Sequence, residues 1–540
     1  MGTVREATFE VCRRVGMTTI FANPGSTEIP LLVGLPDDLR FVLGLHEGSV
    51  VGMATGWAIA RGEPALVNLH TTAGLGNAVS ALATARVNRA PMVVLVGQQD
   101  RRHLALEPFL AGRLDGLAGD YPVWRDAPVR PQDVPGAVGR AWQEAVTGRG
   151  PALVTVPVDD WLADFGPDEL VTAPARLLRA AEPDPEQVGE LAGLLAGARS
   201  PALVVGAGAD SPRAWAALVT LAERLGCPVW QEAFGARAGF PQDHPHFAGH
   251  LPAGRSGLRA ALAGHDVVVT VGAPVFRQYQ YEPGALSDPD TRLALVTDNP
   301  DEAHRAPVEL AVLAPPAQVC ELLAGHLADR PDSGPPRVCR PVPAGPVEPA
   351  EPAEPLRAGQ VAAALAERLP RDVVLVEECP SHRDDLLTGV PARSPGGFVS
   401  AAMGGLGFAL PAAIGLRMAD PGRPVVAVVG DGSALYQIQA LWSAAHYRVG
   451  VLFVVLANGR YAIMDRLASG HGGTVATGGT VATGPWPGFG EVSLTGLSLA
   501  LGCPARRVAT PAELATALDE LTAGLTARTE PAVLEVAVDP

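Results

Sequence analysis

The chain has 540 residues, of which 47% are hydrophobic and 18% charged, so it can bury several large cores and is unlike a disordered protein. Its 41 basic and 57 acidic side chains give a formal net charge of −16, and so acidic a surface repels nucleic acid. The basic side chains counted here are all arginine, which excludes a lysine Schiff base and the lysine of a P-loop.

The cysteines and the apolar stretches indicate a reducing compartment rather than a membrane or the cell exterior. Six cysteines are scattered without a C-x-x-C pair, so we expect buried thiols rather than disulfides or a zinc site. Residues 1–10 contain acidic side chains and lack the apolar core of a signal peptide. Val449–Ala457 is far too short to cross a bilayer. We therefore expect a cytoplasmic protein without membrane or nucleic-acid partners.

The first third of the chain begins an alternation of short apolar runs with stretches of helical length. Phe41–Leu45 and Pro91–Val96 have the composition of buried strands, and Val50–Arg61 has the pattern of a helix. Glu47 lies between the first strand and this helix. Taken alone, an acid in a first helical turn would simply complement the helix dipole. The strand–helix–strand order predicts a parallel sheet covered by helices.

The same order continues through the central and last thirds. Ala/Leu-rich stretches of helical length, including Trp215–Leu225 and Ala434–Tyr447, separate further apolar runs. We therefore predict an α/β protein of three doubly wound domains, each built on a parallel sheet, with ligands beyond the carboxyl ends of the strands. The further buried strands are predicted at Ala202–Val205, Val267–Val271, Val373–Val376, Val425–Val429 and Val451–Leu456.

Two segments interrupt this order. Residues 330–355 are rich in proline and can form neither helix nor sheet, and a weaker boundary lies near Phe165–Glu186. A tandem GGTVAT repeat at 472–483 is predicted to be a mobile loop, either a functional lid or a neutral insertion. The predicted parts are an N-terminal domain at 1–175, a central domain at 185–330, a Pro-rich linker at 331–355 and a C-terminal domain at 356–540.

The strongest chemical signal follows two strands of the last third. The first strand runs into Gly430-Asp431-Gly432, and the next runs into Asn458-Gly459, one strand–helix–strand unit later. This spacing places Asp431 and Asn458 at the same sheet edge. Carboxylate and amide oxygens suit a hard divalent cation, whose other coordination positions stay open to phosphate and water. The glycines and the following helix start favour a diphosphate ligand.

With this pair of motifs the sequence resembles the thiamin diphosphate-dependent decarboxylases, whose diphosphate signature is a GDG triplet with a downstream asparagine. Within that family it is most similar to the benzoylformate decarboxylases. The resemblance covers essentially the whole chain with nearly constant spacing. Besides the GDG unit, the segments that carry it are Asn23–Glu28, Asn68–Asn77, Gly97–Gln99, Gly272–Arg277 and Leu406–Gly415.

The resemblance implies thiamin diphosphate and Mg²⁺ as cofactors. The metal would bind the side chains of Asp431 and Asn458 and the main-chain carbonyl of Arg460. Glu47 would hydrogen-bond the aminopyrimidine ring and drive the tautomer whose imine removes the thiazolium C2 proton. Leu406 would prop the coenzyme into its bent conformation. Further cofactor contacts are expected from Gly25, Gly404, Gly432, Ser433 and Tyr461.

The resemblance also implies a substrate pocket. Ser26 would hold the substrate carboxylate, and His70 would move protons at the carbonyl oxygen or the intermediate. Tyr279 replaces the family's second active-site histidine, and a phenol with a pKa near about 10 is a poorer acid–base group at neutral pH. His382 is a candidate for the missing role. An apolar but reshaped pocket is expected from Phe109, Leu110, Ser400, Ile463, Met464 and Leu467.

These residues predict the non-oxidative decarboxylation of a 2-oxo acid to an aldehyde and CO₂. The nearer alternative is a carboligase, in which a second carbonyl compound captures the enamine, and the loss of the second histidine favours it modestly. The other alternative is a catalytically silent paralogue, which the retained site residues argue against. The resemblance places the coenzyme between the first domain of one subunit and the third of another, so we expect a homo-oligomer, at least a dimer and by resemblance a tetramer.

Overall fold

The structure is a computed structural model that describes residues 2–169, 174–175, 177, 183–328, 356–470 and 485–539. The predicted linker at 331–355 and the GGTVAT repeat at 472–483 lie outside the described residues. Backbone contacts divide the chain into two compact units. Unit 1 comprises Met1–Leu177, Val376–Ser381 and Met403–Pro540, and unit 2 comprises Leu178–Leu375 and His382–Ala402.

The amino-terminal part of unit 1 is built on a parallel sheet. Its strands are β1 (Gly2–Thr3), β2 (Thr19–Asn23), β3 (Arg40–Leu43), β4 (Ala65–Leu69), β5 (Met92–Gln98), β6 (Trp124–Asp126), β7 (Pro151–Pro157) and β8 (Asp164–Phe165). Its helices are α1 (Val4–Arg14), α2 (Ile29–Leu32), α3 (Glu47–Arg61), α4 (Thr71–Val87) and α5 (Val134–Gly148). Six strands form the sheet in the order β3-β2-β4-β5-β7-β6, and β1 pairs with β8 antiparallel. Strands β4 and β5 are buried along their whole length, as expected in a parallel sheet.

The start of α3 places Glu47. His46 has an extended backbone, and its Nδ1 accepts the N–H of Gly48 at 2.9 Å, which caps the helix so that it begins at Glu47. Gly62 ends α3 in the left-handed conformation, with φ of 67°. Glu47 therefore stands in the first helical turn beyond the carboxyl end of β3, where the sequence predicted it.

Unit 2 contains the second parallel sheet, with the strand order β11-β10-β9-β12-β13-β14. Its hydrophobic core consists of buried apolar side chains from the strands and the helices, which pack against one another. The strands are β9 (Pro201–Val205), β10 (Val229–Gln231), β11 (Phe247–His250), β12 (Val267–Val271), β13 (Arg292–Thr297) and β14 (Leu310–Leu313). The helices are α6 (Pro185–Gly197), α7 (Pro212–Leu225), α8 (Arg255–Leu262), α9 (Pro300–Arg305) and α10 (Pro316–His326).

The last third of the chain supplies the third sheet. The strands of this part of the chain are β15 (Val374–Glu378), β16 (Phe398–Ser400), β17 (Val425–Gly430), β18 (Val451–Ala457), β19 (Ala505–Val508) and β20 (Ala532–Ala537). Its helices are α11 (Ala358–Arg368), α12 (Arg383–Gly389), α13 (Ala409–Ala419), α14 (Asp431–Tyr436), α15 (Ala440–His446), α16 (Ala462–Gly470), α17 (Leu494–Ala500) and α18 (Pro511–Thr522). Within unit 1 the strand order is β15-β17-β18-β20-β19.

Two helices join the amino- and carboxy-terminal parts of unit 1. Helices α3 and α13 cross so closely that their backbones touch. A Cβ added to Gly56 would lie 2.0 Å from the carbonyl oxygen of Ala412, and one added to Gly415 would lie 1.8 Å from that of Met53. Glycine is therefore required at both positions, because any larger residue would separate the helices.

The predicted fold class, three α/β domains with parallel sheets, is confirmed, while the predicted domain boundaries stay predictions. One predicted element differs: the stretch Ala434–Tyr447 is two helices, α14 and α15, rather than one. The chain leaves the helical conformation at Gln437, whose Oε1 accepts the Ser49 hydroxyl at 2.6 Å. The five cysteines within the described residues are free and buried, as predicted. Among the described helices, none combines the length and apolar character needed to span a membrane.

Candidate active site

Glu47 is a buried carboxylate held by two amide side chains. Its Oε1 accepts the Nδ2–H of Asn23 at 3.1 Å, and its Oε2 accepts that of Asn77 at 3.0 Å. Asn23 ends β2 and Asn77 lies on α4, so the two amides approach from different elements. Since a carboxylate oxygen has two lone pairs, Glu47 can accept a further donor from a ligand.

His70 lies at the carboxyl end of β4, against the carboxyl group of Glu28. Its Nδ1 is 2.9 Å from Glu28 Oε2 and 2.9 Å from the Thr27 hydroxyl oxygen. The next residue, Thr71, has φ of 38°, an unusual value for a β-branched residue that indicates backbone strain where β4 turns into α4.

Ser26 and His70, the two predicted substrate-binding residues at the reaction centre, lie on adjoining loops. Strands β2 and β4 are parallel neighbours with Asn23 paired to Leu69, so the loops that follow them meet at one sheet edge. Ser26 is exposed in a short 3₁₀ turn after β2. Gly25, a predicted cofactor contact, packs on the imidazole, because a Cβ added there would lie 2.4 Å from His70 Cγ.

Asp431 and Asn458 share one loop region at the ends of the neighbouring strands β17 and β18. Asp431 accepts the N–H groups of Gly432 at 2.8 Å and of Gly459 at 2.7 Å. Burial raises the pKa of the Asp431 carboxyl, against backbone N–H donors that lower it. Asn458 Oδ1 accepts the N–H of Arg460 at 3.1 Å. The structure thus brings two predicted metal ligands together, with the third residue bonded to one of them.

The predicted Leu406 loop is held by a glutamate from β15. Glu378 accepts the N–H groups of Gly407, Phe408 and Ala409 at 2.5, 2.8 and 2.6 Å, which ties the loop to the start of α13. Burial raises the pKa of Glu378 to about 8, and the three backbone donors oppose that shift. Leu406 itself is partly buried, directly before the first of these amides.

The other predicted cofactor contacts belong to the same two loop regions. Gly404 has φ of 77°, which favours glycine in the loop before Leu406. Ser433 is buried in α14, and a Cβ added to Gly432 would lie 3.1 Å from the ring of Phe489. The Tyr461 ring meets the Phe489 ring edge to face, with centroids 5.2 Å apart.

The predicted substrate-pocket residues are divided between the two units, and their assembly into one pocket stays a prediction. In unit 1, Phe109, Leu110 and Met464 are exposed, whereas Ile463 and Leu467 are partly buried. In unit 2, Tyr279 is 61% exposed with its ring beside Phe234, Ser400 is buried, and the buried His382 has Nδ1 3.9 Å from Asp385 Oδ2.

Sequence reasoning missed the side chains that hold these groups in place. Asn23, Asn77 and Glu28 all fall within the quoted segments, but no role was predicted for them. A polar residue at the end of a buried strand was a usable signal for Asn23. The contact of Glu378 with the amides near residue 408 spans about 30 positions, and no local pattern indicates it.

Three domain models of one family match the chain in order. The N-terminal TPP binding domain of thiamine pyrophosphate enzymes matches residues 2–117, the central domain 188–323, and the C-terminal TPP binding domain 386–536. Two of the similar solved structures are a thiamine diphosphate-dependent 4-hydroxybenzoylformate decarboxylase from Rhodococcus jostii and benzoylformate decarboxylase from Polynucleobacter necessarius. Their TM-scores are 0.91 and 0.90, at 37% and 34% identity, and each comparison covers 100% of this chain and 99% of the other.

Curated relatives lead to the same family. Benzoylformate decarboxylase from Pseudomonas aeruginosa is 42% identical over 471 residues, which cover 86% of this chain and 87% of the relative. A putative acetolactate synthase large subunit from Mycobacterium tuberculosis is 30% identical over 523 residues, 93% of each chain. Since the domain models, the relatives and the solved structures agree over nearly the full length, the chain belongs to the thiamine pyrophosphate enzyme family.

Proposed function

We propose that this chain catalyses the thiamin diphosphate- and Mg²⁺-dependent decarboxylation of a benzoylformate-like 2-oxo acid to an aldehyde and CO₂. Its similarity to proteins named as benzoylformate-type decarboxylases supports this reaction. The observation that carries the proposal is the buried Glu47 carboxylate, held by two amides in the same chain as the Asp431 loop.

The chemistry of the donor groups fits both cofactors. A carboxylate and an amide oxygen are ligands that Mg²⁺ accepts, so Asp431, Asn458 and the Arg460 carbonyl would hold the metal. Glu47 has acceptor capacity for an N–H of the aminopyrimidine ring. When bound, thiamin diphosphate supplies a carbon nucleophile and an electron sink for the bonding pair released with CO₂.

The remaining site residues would act on the substrate. The exposed Ser26 hydroxyl can donate a hydrogen bond to the substrate carboxylate, and His70 can exchange a proton at the carbonyl oxygen. The apolar side chains of Phe109, Leu110, Ile463, Met464 and Leu467, with Tyr279 and Ser400, would shape the pocket. Excluding water favours a step that loses a charge, as the departure of CO₂ does.

Carboligation is a second candidate reaction with one observation in its favour. By the resemblance, Tyr279 aligns with the family's second histidine, and slower proton delivery would give an acceptor carbonyl more time to react. The relatives named as acetolactate synthases are less similar to this chain, at 30% identity or below, than the 42% benzoylformate decarboxylase. Decarboxylation to an aldehyde is therefore the better-supported reaction.

We also infer a cytoplasmic homo-oligomer, at least a dimer and by resemblance a tetramer. Leu106 and Phe109 are 82% and 89% exposed in the single chain, and exposed apolar side chains of this size favour a covering partner. The free cysteines of the described residues are consistent with a reducing compartment.

Replacement of Glu47 by glutamine tests the proposed function. The variant keeps the size of the side chain but loses its charge, so CO₂ release should fall about 100-fold or more on every acid that the wild type accepts. Thiamin diphosphate with Mg²⁺ should still raise the melting temperature, since the Asp431 loop is unchanged. Release would be measured on a panel of aromatic, branched and short 2-oxo acids.

Two outcomes would reject the proposal. Undiminished aldehyde release by Glu47→Gln would exclude the role of the carboxylate. Acyloin as the main product of the wild type, when an acceptor aldehyde is supplied, would select the carboligase instead.

A further inference from the structure

A buried glutamate lies behind His70. The Glu28 side chain is 1% exposed, and three groups surround its two oxygens. Oε2 accepts the N–H of Gly25 at 2.8 Å and lies 2.9 Å from His70 Nδ1, and Oε1 accepts the Thr27 hydroxyl at 2.6 Å. A carboxylate can accept from all three groups, so Glu28 is satisfied as a charged group by protein donors.

Two glycines provide the room for this cluster. A Cβ added to Gly97 on β5 would lie 1.8 Å from Glu28 Oε1, and one added to Gly25 would lie 2.4 Å from His70 Cγ. Burial of a carboxylate costs free energy unless it is paired, and an apolar side chain could fill the same space without that cost. The cluster therefore indicates an electrostatic role for Glu28 rather than packing alone.

The hydrogen-bond directions decide which nitrogen of His70 carries the proton. The Thr27 hydroxyl has one hydrogen and donates it to Glu28, so toward His70 its oxygen can only accept. The Glu28 carboxylate has no hydrogen to donate. Both neighbours of Nδ1 are thus acceptors, which requires an N–H at Nδ1 and, in the neutral ring, a lone pair at Nε2.

We propose that Glu28 is a positioning residue that fixes His70 in the Nδ1–H tautomer, so that Nε2 exchanges the proton with the substrate. The inference rests on the proposed function, because that function gives His70 a proton to move. One proton passes between Nε2 and the substrate oxygen in each direction, and the Nδ1–H bond to Glu28 is kept throughout. Glu28 stabilises the imidazolium form electrostatically and does not itself take up the proton.

Neutron diffraction from deuterium-exchanged crystals of the wild-type holoenzyme tests the tautomer directly. We expect a deuteron on His70 Nδ1 that points at Glu28 Oε2, whether or not Nε2 also carries one, and no deuteron on the Glu28 carboxyl group. A ring without a deuteron on Nδ1, or a deuteron on Glu28, would overturn the proposal. This measurement needs no variant and does not depend on turnover.

Glu28→Gln tests the consequence for catalysis. The amide can donate to Nδ1 and so favours the opposite tautomer, which leaves Nε2 protonated in the neutral ring. We expect kcat to fall about 10- to 100-fold, part of the contribution of general acid–base catalysis, with KM changed less than about threefold. The affinity for thiamin diphosphate, measured by fluorescence titration, should stay within about twofold. Glu535→Gln, which alters another buried glutamate, one on β20 that accepts the N–H of Thr495 at the start of α17, is the matched control and should keep the wild-type kcat.

A His70→Ala variant separates the two ways of failing. If His70→Ala leaves aldehyde release unchanged, the role of His70 in the proposed function is wrong. If His70→Ala abolishes release while Glu28→Gln keeps the wild-type kcat, the proposed function stands and the role of Glu28 is wrong.

Discussion

Glu378 links the pH of the solution to the stability of the Leu406 loop. Burial raises its pKa to about 8 from the ordinary value of 4.5. Between these values the folded chain holds the proton more tightly than the unfolded chain does. The stabilisation from this proton is complete below about pH 4.5 and is lost as the pH rises through about 8.

We therefore predict that Glu378→Gln removes a pH dependence. In the wild type, as the pH rises from 5 to 8, this group lowers the free energy of unfolding by up to about 1.4 kcal/mol per pH unit. The variant has no proton to lose, so its slope should be smaller by that amount. Denaturant unfolding at pH 5.5, 7 and 8.5 would measure the slope of the free energy of unfolding with pH in the wild type and in Glu378→Gln. Glu535→Gln is the control that retains Glu378. Parallel slopes in the wild type and Glu378→Gln would contradict the prediction.

Residues that act alone at strand ends could be predicted from the sequence, and residues that act through a partner could not. Asp431 and Asn458 follow apolar runs one strand–helix–strand unit apart, so their meeting at one edge follows from parallel topology. Glu47 needed the family resemblance, because the strand-end position of Asn23 does not show that its amide and that of Asn77 hold this carboxylate. The Nδ1 contact between His70 and Glu28 depends on the alignment of β2 with β4, which the chain order does not specify.

At the scale of elements, the crossing of α3 and α13 depends on backbone contact. Gly415→Ala would place a methyl group 1.8 Å from the Met53 carbonyl oxygen, so the helices must move apart. We predict a loss of about 3 kcal/mol or more in the free energy of unfolding of unit 1. Gly136→Ala is the matched control on α5, where an added Cβ meets nothing within 4 Å and should stabilise by up to about 1 kcal/mol. Equal stabilities of the two variants in denaturant unfolding would refute this account.

Element positions were predictable where a strand is buried on both faces and is therefore a continuous apolar run. The apolar runs at Val267–Val271 and Val451–Leu456 became β12 and β18 with little change of boundary. The prediction of one helix over Ala434–Tyr447 was wrong, because the chain leaves the helix at Gln437, whose side chain accepts the hydroxyl of Ser49 nearly four hundred positions away. Helical periodicity carries no information about such a contact.

At the scale of the whole molecule, the proposed function requires two residue clusters to reach one coenzyme. Glu47 contacts Asn23 and Asn77, whereas Asp431 contacts the amides of Gly432 and Gly459. The resemblance assigns these clusters to different subunits. Under that assignment, each active site takes its carboxylate from one chain and its metal loop from another.

Coexpression of two inactive variants tests this arrangement. Glu47→Gln and Asp431→Asn each disable every site of a homo-oligomer, but a mixed dimer would combine both lesions in one site and leave the other intact. With random pairing of equal amounts, about one quarter of the wild-type activity should return. Glu47→Gln coexpressed with Glu535→Gln sets the scale, because about half of the sites stay intact in either arrangement. The two coexpressed variants would carry different affinity tags, and activity would be measured as CO₂ release from doubly tagged material as well as from the unfractionated mixture. Since a site built within one chain always carries one lesion, activity at the level of the separate variants would show that the coenzyme is held by a single subunit.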